Sequence, residues 1–444
     1  MLTILTSRAC GGKTTQIIQK IKENIGNGKL SYVMFPEQLT LEGERLFTSK
    51  MDMPLFLCKI MSFDRLSQEV LSKVGGNKKQ YIDDICKLML IENILMEHKE
   101  EFVLYKNAIN KTGFLENIVD LLTQFKKNEI SPNSLQDFAN NCDDALLQAK
   151  LLEMSKMYTL LEEKTADKFI DNEYRLALLS EKIDDYVKLR DFEIFFDNFV
   201  SFTALEMNVI AQLLKNNIDI TITLPYDNSG DSCFEVTKDS LEELIKTAMS
   251  YGQKYEIIHL DKSYNENEEL RFLEENFGKL SIKAYDKPTK DIALTTFDNA
   301  VTEVYFVADE INNLVRNHNY RYLDISVAIT EDVKYSRLIE EVFTKYEIPF
   351  FIDSKKDVSG ENIISMVFSF LDMFVKVPNY ANIINFFKSN LSDIDKKSYE
   401  LLENFMIKWN MAEKKYVSEK IFEDERYFAD EFLENRDEIV TAYE

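Results

Sequence analysis

The sequence predicts an α/β fold, built on parallel sheets that large helical insertions interrupt. Three observations carry that expectation. Short apolar runs alternate with amphipathic helices over the first 75 residues, the order that a parallel sheet requires. A glycine-rich turn joins the first of these strands to the first helix. From about Tyr81 to Arg190 the apolar residues recur at helical spacing with no strand pattern.

The first strand–helix unit reads as Leu2–Thr6 then Thr14–Ile25, the second as Tyr32–Phe35 then Leu39–Thr48, and the third as Leu55–Met61 then Asp64–Val74. Gly26 and the Gly75-Gly76 pair stand where helix C-terminal stops belong. In the helical stretch the period is carried by Ile85, Leu88, Met89, Ile91, Ile94 and Leu95. Strand character returns at Glu193–Phe196. Thr203 and Glu206 then have the spacing of a capping box, opening a helix through Leu214. The runs Ile218–Leu224, Tyr255–Leu260 and Ile292–Phe297 continue the sheet pattern. A second α/β unit is expected from the helix Val301–Val315, the strand Ile325–Ile329, the helix Tyr335–Tyr346 and the strand Pro349–Ile352. Beyond Asn362 the chain reads as helical to Glu444, with no closing strand, so a fragment is expected.

At 444 residues, 45% of them hydrophobic and 29% charged, the chain exceeds what one core serves, so two or three domains are expected. No stretch of 18 apolar residues and no secretory signal occur, which points to a soluble cytoplasmic protein without a membrane partner. The cysteines Cys10, Cys58, Cys86, Cys142 and Cys233 have no paired spacing; they read as small buried hydrophobes rather than a disulfide framework or zinc site. A net charge of −24 speaks against a nucleic-acid partner when taken alone. Residues 1–80, however, hold 12 Lys and Arg against 7 Asp and Glu. Short basic segments also arise by chance in a long chain.

Ser7–Thr14 reads SRACGGKT, directly after a strand and directly before a helix, the context of a P-loop. Gly11 and Gly12 let successive N–H groups turn toward phosphate oxygens, at the positive end of a helix dipole. Ser7, Arg8, Ala9, Cys10, Gly11, Gly12, Lys13 and Thr14 are therefore the candidate ATP-binding residues, with Lys13 on the β- and γ-phosphates and the Thr14 hydroxyl on Mg²⁺. The first motif position, usually glycine, is Ser7, which tolerates left-handed backbone less well. In EIFFDNF, Asp197 ends an apolar strand and is the second candidate Mg²⁺ group; capping a turn is the alternative reading. The next residue is Asn198, whose amide cannot accept a proton as a general base.

The ordered set SRACGGKT, FPEQLTLEGERLF (Phe35–Phe47), KIMSFDRLSQEVL (Lys59–Leu71), FFDNFVSFTALE (Phe195–Glu206), and YRYLDISVAI with YEIPFFID (Tyr320–Asp353) resembles the AddB subunits of bacterial AddAB helicase–nucleases and, more distantly, superfamily-1 helicases. That resemblance implies a superfamily-1 helicase-like P-loop domain made of residues 1–80 and 191–285. Residues 81–190 would then be a helical insertion, 286–360 the start of a second RecA-like α/β domain, and 361–444 a truncated helical insertion. It implies an inactivated helicase module beside an AddA-like motor partner, in an enzyme that works on single-stranded DNA and duplex ends in double-strand-break repair. It also implies a nuclease domain with an iron–sulfur cluster, which no residues here match and which is expected beyond residue 444. Superfamily-1 motors have a carboxylate pair where Asp197-Asn198 stands, and a Gly-Asp…Gln motif where LPYDNSG stands.

The resemblance further implies a DNA channel that reads the Chi signal, at positions matching Gln38, Thr40, Phe63, Arg65 and Phe202. Phe63 suits base stacking, Arg65 bidentate pairing with guanine or phosphate, and Gln38 mixed hydrogen bonding. Gln68 stands where relatives can have an aromatic residue. Core packing for Phe63 and Phe202, and a surface ion pair for Arg65, are the ordinary alternatives. Two other functional readings stay open: an active superfamily-1 helicase or P-loop ATPase, and an architectural protein whose nucleotide pocket is a relic.

Overall fold

The structure, a computed structural model, describes residues 1–51, 57–76, 79–105, 111–166, 168–227, 232–279, 281, 283–352, 358, 360–375, 378–411, 417–428 and 432–443. It divides into two compact units, Met1–Ala293 and Leu294–Glu444.

The first unit is built on strands β1 (Leu2–Ser7), β2 (Leu30–Met34) and β3 (Cys58–Met61), each followed by a helix: α1 (Lys13–Gly26), α2 (Thr40–Lys50) and α3 (Phe63–Val74). The expected strand start at Leu55 and Phe56 lies outside the described residues. A short strand β4 (Gln80–Tyr81) leads into α4 (Asp84–Glu97), α5 (Thr112–Lys127), α6 (Pro132–Asn140) and α7 (Ala145–Thr165). Strand β5 (Phe169–Ile170) then pairs in parallel with β4 and opens α8 (Asn172–Lys182). The chain returns to the sheet with β6 (Phe192–Phe196), α9 (Ala204–Lys215), β7 (Ile220–Pro225), α10 (Glu235–Ser250), β8 (Tyr255–His259) and α11 (Glu268–Asn276). The six long strands form one parallel sheet in the order β3-β2-β6-β7-β1-β8.

Period-2 side-chain alternation builds the three layers. Tyr32, Met34, Ile194 and Phe196 join the core under α3 and α9, while Val33, Phe35 and Phe195 join the core under α1 and α2. Burial on both faces explains why these strands read as continuous apolar runs. The capping box forms as its spacing predicts: the Thr203 N–H donates to Glu206 Oε2 at 2.8 Å, and the Glu206 N–H donates to Thr203 Oγ1 at 3.4 Å.

The helical layer has its own core around Ile91, Leu95, Phe102, Leu122 and Met157. Ile85 and Met89 stay on the surface, because α4 is apolar around most of its circumference and only one side is covered. Charged groups are buried in this layer: Lys87 donates to Glu173 at 2.9 Å and Lys126 to Asp171 at 2.6 Å.

In the second unit, α12 (Ala300–Asn317) and α13 (Asp332–Lys345) pack around Val304, Ala308, Val342 and Phe343. Helices α14 (Asn362–Val375), α15 (Tyr380–Lys388), α16 (Lys396–Lys408), α17 (Lys420–Glu423) and α18 (Arg436–Tyr443) follow, with Leu402, Phe405, Met406 and Phe428 at a second centre. The strands expected at Ile292–Phe297, Ile325–Ile329 and Pro349–Ile352 do not form among the described residues. A strand exists only with a neighbour to complete its hydrogen-bond ladder, and these runs pair with no edge here; Leu294 is 95% exposed. Asp353, which closes the YEIPFFID match, lies outside the described residues. The cysteines also depart from expectation: all five are free, but only Cys58 is buried, and Cys10, Cys86 and Cys233 are exposed. No helix among the described residues is long and apolar enough to cross a membrane.

Burial alone would push the Asp171 carboxyl up; the Lys126 and Lys87 ammonium groups and the Tyr174 N–H outweigh it and hold it below its ordinary value. A depressed carboxylate adds stability above the unfolded pKa of about 3.9, and that stability is lost as pH falls through the lower folded value. Removing Lys126 returns the folded value upward. Lys126→Met is therefore expected to cost about 3 kcal/mol at neutral pH and to move the acid-unfolding midpoint to higher pH. Urea titrations at pH 7 and pH 4 check both, and an unshifted acid limb would contradict the assignment.

Candidate nucleotide site and nucleic-acid edge

All six sheet strands are parallel, so the loops after them share one carboxyl edge, where ligands bind in open α/β sheets. The turn after β1 is the SRACGGKT segment. Gly12 precedes α1 in left-handed backbone (φ 80°), and no side chain caps the start of that helix. By contrast Ser62, Asp83, Ser131, Asp171 and Thr203 cap α3, α4, α6, α8 and α9. The first N–H groups of α1 are thus left open toward an anion. A Cβ added at Gly11 would lie 2.1 Å from Ser7 Oγ, so the loop closes tightly upon its own first residue.

Lys13 turns into this loop. Its Nζ donates to the Ser7 carbonyl at 3.0 Å, to Ser7 Oγ at 2.9 Å and to the Arg8 carbonyl at 2.9 Å. Burial lowers the Lys13 ammonium below its ordinary value, and the Asp197 carboxylate offsets only part of that. Asp197 itself is 1% exposed. It accepts from Thr14 Oγ1 at 2.7 Å and from Thr223 Oγ1 at 2.6 Å, while its N–H donates to the Met34 carbonyl at 3.0 Å. Asn198, next to it, has φ 64°. The structure thus brings Ser7, Gly11, Gly12, Lys13, Thr14 and Asp197 together.

Arg8 is placed differently from the phosphate role expected of it. Its guanidinium pairs with Asp227, donates to the Glu274 carbonyl at 2.7 Å and the Phe277 carbonyl at 3.0 Å, and lies over the Phe234 ring. It fastens the glycine turn to the segment around α11. Ala9 borders the adjoining cleft, and Cys10 sits exposed in left-handed backbone (φ 52°). Two contacts escaped sequence reading. Thr223 carries no local motif, and only the pairing of Phe196 with Ile222 sets it beside Asp197. Tyr264 donates its N–H to the Cys10 carbonyl at 2.9 Å, and its ring lies against Gly12. Among the described residues, no group of three or more His, Cys, Asp or Glu is placed to hold a metal. Thr14 and Asp197 suit Mg²⁺ arriving with a nucleotide, since that ion takes one or two protein oxygens and completes its shell with water and phosphates. Residues 228–230 of LPYDNSG lie outside the described residues.

The other half of the edge holds the loops after β2, β3 and β6. Gln38 is exposed there, and Arg65 Nη1 pairs with Glu44 Oε1 at 2.6 Å near the surface. Phe202 is half-buried and stacks on Phe199 at 4.9 Å. Phe63 and Thr40 do not reach this surface. Phe63 follows the Ser62 cap, turns inward, is 7% exposed and packs on Phe196 and Phe199. Thr40 is buried and donates its hydroxyl to the Glu37 carbonyl at 3.0 Å. Gln68 Nε2 donates to Asp64 Oδ2 at 2.9 Å.

A parallel sheet with large helical insertions, and a Gly-Gly-Lys-Thr turn between its β1 and α1, define an α/β protein of the P-loop helicase-like class. The chain belongs to the AddB N-terminal family: residues 4–274 match the family described as "ADDB, N-terminal". It is similar to proteins named as the B subunit of an ATP-dependent helicase/deoxyribonuclease. The identity is 32% over 91% of this chain for Thermoanaerobacter sp. (strain X514), 31% over 92% for Clostridium novyi (strain NT), and 29% over 94% for Clostridioides difficile (strain 630). The chain spans 36%, 37% and 38% of the length of those relatives, respectively.

The tight closure of the glycine turn is testable by stability alone. Gly11→Ala forces Ser7 to move and is expected to cost about 1–3 kcal/mol. Adding Ser7→Gly removes the atoms it strikes, so the pair is expected to recover most of that loss, a non-additivity readable in thermal melts. Additive losses would count against this contact.

Proposed function

We propose that the protein is the helicase-like front part of the B subunit of an ATP-dependent helicase/deoxyribonuclease that processes double-strand breaks. In this reading it holds nucleotide and single-stranded DNA, and scans for Chi, while an AddA-like partner moves the strand. The nuclease and iron–sulfur chemistry is assigned to other parts of the assembly. The observation that carries the reading is the buried Asp197 bonded to Thr14 of the glycine turn, with Asn198 beside it.

Lys13, Thr14 and the open N–H groups of α1 would receive the phosphates, with Lys13 exchanging its contacts to Ser7 and Arg8 for phosphate oxygens. Bound Mg²⁺ would be held by Thr14 and Asp197 and would neutralise phosphate charge. Asn198 offers no site for a proton from water, so the position after Asp197 supplies no general base, and in this reading the pocket retains nucleotide rather than turning it over. Gln38, Arg65 and Phe202 are proposed to meet the DNA. The Arg65–Glu44 pair is surface-exposed and weak in water, so a phosphate or guanine edge competes for Arg65 readily. Phe202 can turn the outer end of its stack to a base. The family membership and the names of the relatives support this assignment.

One observation favours the relic reading. The Tyr264 ring against Gly12, with Lys13 satisfied by its own loop, leaves the pocket closed upon itself. Titration with a fluorescent ATP analogue separates the two. We expect saturable, Mg²⁺-dependent binding that Lys13→Ala weakens at least tenfold; no saturation would support the relic. Separately, the Arg65→Ala and Phe202→Ala variants are each expected to weaken oligo-dT binding by about 1–3 kcal/mol and leave nucleotide binding intact. Unchanged DNA affinity in both would remove these residues from the DNA path.

A further inference from the structure

Helix α14 turns its most apolar side to solvent. Ile363, Val367, Phe370, Leu371 and Phe374 recur at helical spacing and so lie on one side, and each is at least 45% exposed. Phe368 and Val375 widen the patch at its border. The inward side is modest by comparison: Ser369 is buried there, and Met373 packs against the core around Leu402 and Phe405. Phe370 joins the two sides, its ring meeting Phe374 edge-on at 4.9 Å and Phe386 of α15 at 6.0 Å.

A surface helix of a soluble domain ordinarily buries its apolar stripe and shows its polar side. Here the wider apolar stripe faces out, and a contiguous exposed patch of this kind marks a contact surface.

The chemistry of what covers it follows from the helix itself. Among its 14 residues Asp372 is the one charged group, with no lysine or arginine. A lipid surface is therefore disfavoured, because helices that lie in the membrane interface are rich in Lys and Arg on their polar face. Nucleic acid is disfavoured for the same lack of cations. A β-strand finds no edge here, since the backbone groups of a helix are spent within it. A second helix with an apolar side fits, its ridges entering the grooves between Ile363, Val367, Leu371 and Phe374. Size decides its source. Fourteen residues of helix span about 21 Å, so a stripe one helix wide falls short of the roughly 800 Å² per partner that stable association of separate chains buries. A helix tethered in the same chain docks on a smaller face, because it loses far less translational freedom. The relatives have chain to supply it: the match fills only 36% to 38% of their length.

We propose that α14 is the docking face for an apolar-sided helix from the part of the full-length B subunit outside residues 1–444. This rests on the reading of the protein as the front part of that subunit. Hydrogen exchange over residues 362–375, followed by mass spectrometry, compares residues 1–444 with the full-length subunit, each with and without the AddA-like partner. Exchange is expected to slow at least tenfold in the full-length subunit alone. The pair Val367→Asp and Phe374→Asp is expected to leave the melting temperature of residues 1–444 unchanged and to return α14 of the full-length subunit to the fast exchange of the shorter chain. Protection that needs the partner, protection of residues 1–444 that grows with concentration, or protection that survives both substitutions would each overturn the proposal. Equal exchange in the short and full-length chains would overturn it too and leave the front-part reading standing; a gene that encodes no further chain would end both.

Discussion

The carboxyl edge of the sheet is organised by one buried carboxylate. Asp197 joins four elements: its own strand β6, β7 through Thr223, β2 through the Met34 carbonyl, and the start of α1 through Thr14. A buried carboxylate is costly unless its oxygens are satisfied, and here each receives a hydroxyl proton at 2.6 or 2.7 Å. The glycine turn is therefore held in place against the sheet, and the loop that begins at Asn198 departs from a fixed point. That loop leads through Phe199 to Phe202, so the candidate nucleotide and DNA surfaces meet at its two ends.

The two halves of this edge differ in chemistry. On the β1 side Lys13, Arg8 and Asp227 form a dense polar mesh that ties the glycine turn to itself and to the segment around α11. On the β3–β2–β6 side Phe63, Phe196, Phe199 and Phe202 run from core to surface in edge-on, tilted and stacked contacts. Such aromatic contacts contribute beyond their buried area, and they give the loop after Asp197 a firm seat.

What the sequence disclosed depended on how local each feature is. The glycine turn was legible because strand, loop and helix are contiguous, and the capping box because Thr203 and Glu206 are three residues apart. Asp197 was legible as the end of an apolar strand. Thr223 was not, since its meeting with Asp197 depends on strand register across 26 positions. Phe63 read as a candidate platform because aromatic residues suit both bases and cores; its place at the first turn of α3, behind the Ser62 cap, turns it inward. Arg8 lay within a phosphate-binding motif, yet its partners stand more than 200 residues away. The expected strands of the second unit failed for a related reason: apolar alternation marks a run that is able to pair, while pairing needs a neighbour that local sequence does not specify.

The central proposal is that this edge retains a nucleotide without turning it over, with Asp197 helping to hold Mg²⁺ and Asn198 unable to act as a base. Incubating the protein with Mg²⁺, single-stranded DNA and γ-labelled ATP, and separating bound from free label before acid quenching, tests it most directly. The account predicts stoichiometric bound ATP recovered intact, with no release of labelled phosphate above background. Multiple turnovers of ATP to ADP that vanish in Lys13→Ala would contradict it.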